Sequence, residues 1–369
     1  MSRIVAVKSV FPEFVSTQSS ITAEFAELVT QDNGEQNVLR RIHGSSGVRT
    51  RHTVLPIKAY RTLDSFEATN DLFIWHGVDL AERAAVEALA LAEIEPREVD
   101  FFFFTSVTGV AAPSLDALLV EKIGLRADVK RVPSFGLGCV AGAAALARAH
   151  DYLIGHPCEV AVVVAVELCS LTVQRDDASM ANIVASGLFG DGAAAAVLTG
   201  SERQQGGATW RYTPEIVATA SRIYPDTGDM IGWRIGSTGF RIVLSAGLPG
   251  VIDGHFAADV TTMLGAHQLA TGDIAAWIAH PGGPKILEAF ERCLTLNNGE
   301  LARSWSSLAR VGNLSSVSVL DILADTIGGG TDPGSDFEPV PPGAFGLLFS
   351  LGPGVSSELV LLRWPEESE

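Results

Sequence analysis

The chain has 369 residues and a formal net charge of −17, and 47% of its residues are hydrophobic. A chain of this length buries a sizeable core and typically forms two domain-sized units. The hydrophobic content excludes a disordered chain, and the acidic balance argues against a nucleic-acid partner. Apolar runs such as 161–166 fall far short of the roughly 18 residues of a membrane span, and the N-terminus lacks a signal-peptide pattern. We therefore expect a cytoplasmic protein without a membrane span.

The cysteines are too few and too scattered for a disulfide framework. There are four of them: Cys139, Cys158, Cys169 and Cys293. None belongs to a C-x-x-C pair, so the sequence predicts no structural zinc site. Reduced thiols are expected, which leaves any one of them available for chemistry.

A basic segment lies between Gln36 and Leu63, where the chain has no acidic residue. Its six positive side chains are Arg40, Arg41, Arg49, Arg51, Lys58 and Arg61. Such a segment on an acidic protein can attract an anionic, phosphorylated ligand. A solvated face that pairs with acids from elsewhere in the chain is an equally good interpretation.

The predicted elements alternate between strand and helix. In chain order the patterns predict a strand at 4–10, a helix over 79–93, a buried strand over 99–107, a helix over 140–155 and a buried strand over 159–167. Strands that are apolar throughout are typical of sheets covered on both faces. The order therefore indicates a layered α/β fold.

The second half of the chain resembles the first. A predicted helix over 257–268, an acidic residue and a strand over 274–280 repeat the earlier order of helix, acids and buried strand. The segment 190–200 is matched loosely by 342–354. These similarities predict an internal duplication. We place its boundary in the polar stretch 201–209, and a Gly/Pro-rich loop at 328–343 interrupts the second half.

Cys139 has the sequence context of a reactive thiol. It follows Gly136 and Gly138 in a Gly-x-Gly pattern and precedes a run of small residues. This context predicts a tight strand-to-helix turn that places the sulfur at a helix N-terminus, where the helix dipole favours the thiolate. A buried cysteine is usually an inert apolar residue, and only Cys139 has this glycine punctuation.

Two polar residues in the second half lie where α/β folds place active-site groups. His280 ends a predicted strand and is followed by a Pro-Gly-Gly-Pro loop that contains Gly282 and Gly283. Asn313 precedes a serine pair and an apolar helix-like run, which Ser315 or Ser316 could cap. Neither residue is persuasive alone, because a lone histidine or asparagine is more often structural.

Three motifs together resemble a known family. GLGCVAGAAAL, WIAHPGGPKIL and RVGNLSSVSVL look like the active-site motifs of type III polyketide synthases, the chalcone-synthase-like branch of the thiolase superfamily. FGDGAAAAV and SLGPG also match, so the resemblance covers essentially the whole chain. It implies an α/β, thiolase-like, five-layered αβαβα fold built from two duplicated halves. Residues 1–205 would carry the nucleophilic cysteine, and residues 206–369 would carry the histidine and asparagine.

The resemblance implies a decarboxylating acyltransferase. Cys139 would take a starter acyl group from an acyl-CoA and hold it as a thioester. Malonyl-CoA would lose CO2, and His280 and Asn313 would bind the resulting enolate oxygen. His280 could also hold Cys139 as a thiolate in an ion pair. The family implies a homodimer and no cofactor other than the CoA thioester substrates.

Several further positions acquire roles through the resemblance. Phe189 and Phe240 match the phenylalanines between the CoA tunnel and the cavity, and Glu167 matches a carboxylate near the cysteine that we expect to be buried and hydrogen-bonded. Arg41 matches a contact to the CoA phosphates, although Val38 and Ser45 replace the lysines that accompany it in plant members. Gly282 and Gly283 of the histidine motif are further substrate-binding candidates.

The substrate class follows from two stretches, 106–117 and 166–177, that look most like bacterial long-chain alkylpyrone and alkylresorcinol synthases. In those relatives small residues open a tunnel for a fatty acyl tail, and Thr108, Ala112 and Cys169 match them here. We therefore expect a fatty acyl-CoA starter and an alkylpyrone or alkylresorcinol product.

Other functions stay open at this point. One alternative is a small-starter synthase of the tetrahydroxynaphthalene or phloroglucinol type, and a less favoured one is a ketoacyl synthase III-like enzyme. A papain-like hydrolase fits the 141-residue spacing from Cys139 to His280, but the C-G-S-C-W context of its nucleophile is missing.

Overall fold

The computed structural model describes residues 1–203, 213–297, 299–328 and 337–366. The strands are β1 Ser2–Val10, β2 Phe14–Thr17, β3 Thr50–Thr53, β4 Phe101–Thr105, β5 Lys130–Ser134, β6 Val160–Leu168, β7 Asp191–Thr199, β8 Glu215–Ile223, β9 Ile231–Gly236, β10 Gly239–Leu244, β11 Ile274–Ala279, β12 Phe345–Gly352 and β13 Ser356–Arg363. The helices are α1 Gln18–Val29, α2 Asn33–Gly44, α3 Phe66–Ala92, α4 Leu115–Ile123, α5 Ala141–Gly155, α6 Met180–Leu188, α7 Leu248–Val251, α8 Ala257–Ala266, α9 Pro284–Leu294, α10 Ala302–Val311 and α11 Ser318–Ile327. The predicted boundary at 201–209 and the Gly/Pro-rich loop at 328–343 lie largely outside the described residues.

Nine strands form one sheet in the order β11-β12-β13-β8-β1-β7-β6-β4-β5. β2 pairs with β3, and β9 pairs with β10, in two separate two-stranded sheets. The apolar strands predicted at 99–107 and 159–167 are β4 and β6, and both are buried along their whole length. Burial on both faces explains why their sequences show no polar alternation.

The two ends of the sheet repeat one pattern of pairing. In the first half β4 and β6 are parallel, and β6–β7 and β7–β1 are antiparallel. In the second half β11 and β12 are parallel, and β12–β13 and β13–β8 are antiparallel. This equivalence agrees with the predicted duplication and with the match between β4 and β11. The loose match of 190–200 to 342–354 was wrong, because β7 occupies the place of β13 and not of β12.

The two halves of the nine-stranded sheet act as two β layers, with helices between them and on both outer faces. This is the five-layered order that the family resemblance implied. α5 packs between the halves, against β4 and β6 on one side and β12 and β13 on the other, and α11 lies beside it. α3 and α4 cover the outer face of the first half, whereas α9 and residues 252–264 cover the outer face of the second. The small residues of α5 permit this closeness, since a Cβ added at Gly142 would lie 2.2 Å from the Ser316 carbonyl oxygen.

Two helices extend further than their sequence patterns indicate. α3 begins at Phe66, where the Ser65 hydroxyl accepts a hydrogen bond from the Ala68 amide, although the pattern predicted only 79–93. The helix predicted at 257–268 continues a helical segment that starts at Leu248 and includes one π-turn over Ile252–Phe256. In both cases packing supports turns whose residues are not strongly periodic.

Candidate active site

A cavity of about 390 Å³ lies where the two halves meet. Cys139, His280 and Asn313 all line it, although they come from three distant segments. The predicted substrate-binding residues Phe189, Gly282 and Gly283 line the same cavity.

The Cys139 turn is built on a glycine that no other residue can replace without strain. Gly138 has a φ of +57° and opens the single 3-10 turn Gly138–Val140 that leads into α5. A Cβ added there would lie 2.5 Å from the ring of Pro353, in the late Gly-Pro-Gly segment. The backbone must therefore be left-handed and free of a side chain to bring Cys139 to the cavity.

Burial disfavours a charge on both Cys139 and His280. Burial raises the pKa of Cys139 to about 12, and the hydrogen bond from its Sγ to Ser315 Oγ (3.6 Å) offsets only part of that effect. Burial likewise lowers the pKa of His280 to about 3, so its imidazole is neutral. Burial therefore shifts both pKa values in the direction that disfavours the thiolate–imidazolium pair which the sequence allowed.

His280 is held by the sheet and presents one nitrogen to the cavity. Its backbone N–H donates to the Phe349 carbonyl (2.9 Å), which continues the pairing of β11 with β12. Its Nδ1 is buried and has no hydrogen-bond partner among the described residues, so Nε2 is the nitrogen that faces the cavity. Gly283, with a φ of +137°, then turns the chain into α9.

Asn313 is fixed by both its backbone and its side chain. Its N–H donates to the Leu188 carbonyl (2.8 Å), and its carbonyl accepts from the Gly190 N–H (3.0 Å), which joins the two halves of the fold. Its Oδ1 accepts from the Ser315 N–H (2.8 Å). Because a backbone N–H can only donate, this contact assigns Oδ1 and leaves the Nδ2 hydrogens available to a ligand.

The two serines after Asn313 do not cap α11, contrary to the sequence prediction. Ser315 has a left-handed backbone with a φ of +51° and accepts the Cys139 hydrogen bond, whereas Ser316 Oγ donates to Glu167 Oε1 (2.5 Å). The Leu314 N–H donates instead to Ser318 Oγ (2.7 Å). Both predicted caps therefore serve the site.

Glu167 is fully buried beside the nucleophile turn, as the sequence predicted. Its carboxylate accepts from Ser316 Oγ, from Thr108 Oγ1 (3.0 Å) and from the Val107 N–H (3.1 Å). Burial raises the pKa of Glu167 despite these bonds. The carboxyl group thus ties β6 to the turn that precedes α11.

None of the three positions expected to open a tail tunnel lines the cavity among the described residues. Thr108 Oγ1 faces Glu167, and it is the neighbouring Val107 that lines the cavity, because successive side chains of an extended segment point to opposite sides. Ala112 is exposed on the surface of the chain. Cys169 is 2% exposed and lies outside the described lining of the cavity. Thr108 and Cys169 are small side chains in closely packed surroundings, and Ala112 lies on the surface.

The prediction that Phe240 lines the cavity was wrong, because Ile242, two residues further along the chain, lines it instead. Its ring packs edge-on against Phe66 at 5.4 Å and against Trp233 at 6.0 Å. Ile242, further along β10, lines the cavity together with Trp233. Sequence reasoning missed Trp233 and Ile242 because the register of the hairpin decides which of its side chains face inward. It missed Val107 because the alternation of side chains in an extended segment decides the same there.

The basic segment divides between the two interpretations offered for it. Arg61 forms ion pairs with Glu24 and Glu27, and Arg51 is buried, where it donates to the Phe189 carbonyl (2.7 Å). Arg41 is exposed in the last turn of α2, next to Ile42 and Ser45, which line the cavity mouth. Arg41 is therefore placed to meet an anionic ligand at the cavity.

Comparison with known proteins assigns the family. Residues 1–202 match the chalcone and stilbene synthase N-terminal domain, and residues 215–364 match the C-terminal domain. The chain belongs to the chalcone and stilbene synthases. This type III polyketide synthase is a decarboxylating, condensing acyltransferase with a thiolase-like fold, and the family uses CoA thioesters without a bound cofactor.

Three relatives illustrate the range of the family. A 1,3,6,8-tetrahydroxynaphthalene synthase of Streptomyces peucetius is 49% identical over 98% of this chain and 93% of its own length. An alpha-pyrone synthesis polyketide synthase-like protein of Mycobacterium tuberculosis is 33% identical over 95% of this chain and 88% of its own. A crystal structure of the Streptomyces coelicolor 1,3,6,8-tetrahydroxynaphthalene synthase has a TM-score of 0.89 at 31% identity, covering 98% of this chain and 99% of that one.

Two further findings concern the described part of the synthase. No group of three or more His, Cys, Asp or Glu side chains there is arranged to hold a metal ion. None of its helices combines the length and apolar character needed to cross a bilayer.

Proposed function

We propose that this synthase uses malonyl-CoA as both starter and extender and closes the chain to a naphthalene product of the 1,3,6,8-tetrahydroxynaphthalene type. The observation that carries this proposal is the 49% identity to the Streptomyces peucetius enzyme over nearly the full length of both chains. It favours the small-starter alternative over the long-chain alkylpyrone or alkylresorcinol reading.

The cavity wall supports the same choice. The volume of about 390 Å³ lies near the lower end of the roughly 300–1,000 Å³ typical of ligand pockets. Trp233 and Ile242 line one side, and Thr108, Ala112 and Cys169 are not among the described residues that line it. A cavity of this volume fits a short polyketide chain better than a long alkyl chain.

Loading uses the thiol of Cys139. Its sulfur attacks the thioester carbonyl of malonyl-CoA, the bond from that carbonyl to the CoA sulfur breaks, and the thiol proton ends on the departing CoA. The starter is then a thioester on Cys139. Arg41 is proposed to bind the CoA phosphates at the cavity mouth, where Lys285 adds a second positive charge.

Extension uses the pair of donors opposite the sulfur. A second malonyl-CoA loses CO2, and its enolate oxygen accepts hydrogen bonds from Asn313 Nδ2 and from the Nε2–H tautomer of His280. The enolate carbon attacks the thioester on Cys139, so that a carbon–carbon bond forms and the bond to sulfur breaks. Each donor of this kind is worth about 3–4 kcal/mol in comparable sites.

The decisive experiment incubates the purified chain with malonyl-CoA alone. We expect a product whose mass and chromatographic retention match authentic 1,3,6,8-tetrahydroxynaphthalene. A parallel reaction with added palmitoyl-CoA should give the same main product. An enzyme that stays inactive with malonyl-CoA alone and makes alkylpyrones once palmitoyl-CoA is supplied would refute the proposal.

We also propose a homodimer. β5 is an edge strand of the nine-stranded sheet, and its Val132 is 39% exposed. Phe135, just beyond the strand, and Leu118 of α4 are exposed as well. An unpaired edge with exposed apolar side chains is a template for pairing with another chain. Light scattering should give twice the chain mass, and Val132→Lys should shift the species toward the monomer.

A further inference from the structure

The β9–β10 hairpin forms one wall of the cavity but does not belong to the main sheet. Ile231, Gly232 and Trp233 of β9 and Ile242 and Leu244 of β10 all line the cavity. The hairpin pairs only with itself within the described residues. Its position relative to Cys139 must therefore depend on contacts outside the strand ladder.

The base of the hairpin has a backbone anchor. The Gly354 N–H donates to the Ile231 carbonyl (3.2 Å), close to Pro353 and the nucleophile turn. The tip is a two-residue loop of Ser237 and Thr238, between Gly236 and Gly239. This end is distant from the backbone anchor and needs a second point of attachment.

Gln174 supplies that attachment. Its side chain is buried, and its Nε2 donates to the Phe240 carbonyl (3.2 Å), to the Thr238 carbonyl (3.3 Å) and to the Thr172 carbonyl (3.1 Å). Its Oε1 accepts from Thr238 Oγ1 (2.7 Å). The side-chain amide of Gln174 thus joins the tip of the hairpin to the segment that follows β6.

Gln174 is itself held in place. Asn182 of α6 donates from Nδ2 to the Gln174 carbonyl (2.9 Å) and accepts from its N–H (3.3 Å). The backbone of Gln174 therefore has little freedom, and its side chain transmits a fixed position to the hairpin. Phe240, whose carbonyl it binds, packs directly against Trp233 of the cavity wall.

We propose that Gln174 is a positioning residue which sets the distance of the β9–β10 wall from Cys139 and thereby the size of starter acyl group that the cavity admits. Losing its amide leaves the Phe240 carbonyl buried without that donor, a state that costs free energy. The hairpin tip relieves this cost by moving toward water. Trp233 and Ile242, which face each other across the hairpin register, move with it. This inference builds on the proposed preference for small starters.

The test uses Gln174→Met, which keeps the size of the side chain and removes its hydrogen bonds. The readout is a competition between acetyl-CoA and decanoyl-CoA at equal concentrations, with malonyl-CoA as extender. We expect the ratio of decanoyl-primed to acetyl-primed products to rise about tenfold, within the range that small misplacements in a site produce. Decarboxylation of malonyl-CoA should stay within about twofold of wild type, because Asn313 and His280 do not contact the hairpin tip.

A matched pair of surface variants provides the control. At the exposed position 238, Thr238→Val removes the hydroxyl that donates to Gln174 Oε1 and accepts from Arg241, and Thr238→Ser keeps it. We expect Thr238→Val to raise the ratio in the same direction and Thr238→Ser to match wild type. An unchanged ratio in both Gln174→Met and Thr238→Val overturns the inference. So does a parallel loss of decarboxylation and of all priming, which would mark a general folding role.

The two proposals fail in different ways. The wild-type reaction with malonyl-CoA alone tests which starter is preferred. The ratio of decanoyl-primed to acetyl-primed products in the variants tests whether Gln174 positions the β9–β10 wall. A wild-type enzyme that needs another starter would leave the variant ratio just as informative.

Discussion

The two central helices begin with turns that are alike in backbone and different in chemistry. α5 follows the turn Gly138–Val140, and α11 follows the turn Ser315–Val317, at equivalent places in the two halves. Both turns are buried, and both start with a left-handed residue, with φ of +57° at Gly138 and +51° at Ser315. The first presents Cys139, the proposed nucleophile, whereas the second accepts a hydrogen bond from Cys139 and holds the side chain of Asn313, the proposed enolate donor. The two halves therefore contain matching turns whose side chains have different proposed roles.

The residue types at the two turns follow from their surroundings. Gly138 has Pro353 within 2.5 Å of where a Cβ would be, so a side chain is excluded. Ser315 tolerates the same backbone at a cost of about 1–3 kcal/mol. Its N–H bond to Asn313 Oδ1 and its hydroxyl contact with Cys139 offset that cost. The strained residue Ser315 is thus the one that contacts both Cys139 and Asn313.

The strongest test of this division removes the nucleophile. Cys139→Ala should abolish acyl transfer to the protein and all condensation, because no other thiol lines the described cavity. Malonyl-CoA decarboxylation should persist, since Asn313 and His280 are intact. Intact-protein mass spectrometry after incubation with malonyl-CoA, together with product analysis, measures both. Condensation retained by this variant would end the assignment of roles to the two turns.

The next largest effect is expected at the second turn. Asn313→Ala should lower decarboxylation by about 10²–10³-fold, the usual effect of removing one oxyanion donor. Acylation of Cys139 should fall less than tenfold, because it does not use the enolate. Asn313→Asp is the matched control: it keeps the acceptor for the Ser315 N–H and removes the Nδ2 donor. If the aspartate variant decarboxylates like wild type, Asn313 is not an enolate donor.

A third test separates backbone strain from steric exclusion at the first turn. Gly136 and Gly138 both have positive φ, but a Cβ at Gly136 meets nothing within 4 Å. Gly136→Ala should cost about 1 kcal/mol of unfolding free energy from strain alone. Gly138→Ala should cost about 3 kcal/mol, because the Pro353 contact adds to the strain. Urea unfolding curves measure both, and equal values would mean that Pro353 simply moves aside.

The smallest expected effect concerns the hydrogen bond between the turns. Ser315→Ala should slow alkylation of Cys139 by iodoacetamide about fivefold, because the Ser315 hydroxyl can rotate to donate to the thiolate and a bond of about 1 kcal/mol provides that factor. Ser45→Ala, at a cavity hydroxyl that donates to the Ile42 carbonyl, is the control and should not slow it. A wild-type rate in Ser315→Ala would show that the hydroxyl does not stabilise the thiolate.

The pH dependence of the same reaction tests the charge state. Because burial raises the pKa of Cys139 to about 12, the thiolate fraction should rise about tenfold per pH unit from pH 7 to 10. The alkylation rate should follow it without a plateau. A plateau near pH 7 would mean that His280 holds a thiolate at rest, as the sequence alone suggested.

The sequence correctly predicted the elements that depend on glycines at a turn or on apolar runs. β4, β6 and α5 follow from uninterrupted apolar or small residues, and the turn at Cys139 follows from its glycines. It failed where an answer depends on register or on burial. Val107 and Thr108 differ by one residue, and Phe240 and Ile242 by two, yet only one of each pair lines the cavity. The raised pKa of the Cys139 thiol follows from its burial in the folded chain, which no single motif encodes.

The bridge between Phe189 and Asn313 makes the site a late product of folding. It joins segments that are remote in the chain, and Arg51 reinforces it by donating to the Phe189 carbonyl. Contacts of such long range form after local ones, and the N-terminal half leaves the ribosome first. A nascent chain therefore carries Cys139 before it carries Asn313, the proposed enolate donor, and the two residues meet only when the second half has docked onto the first.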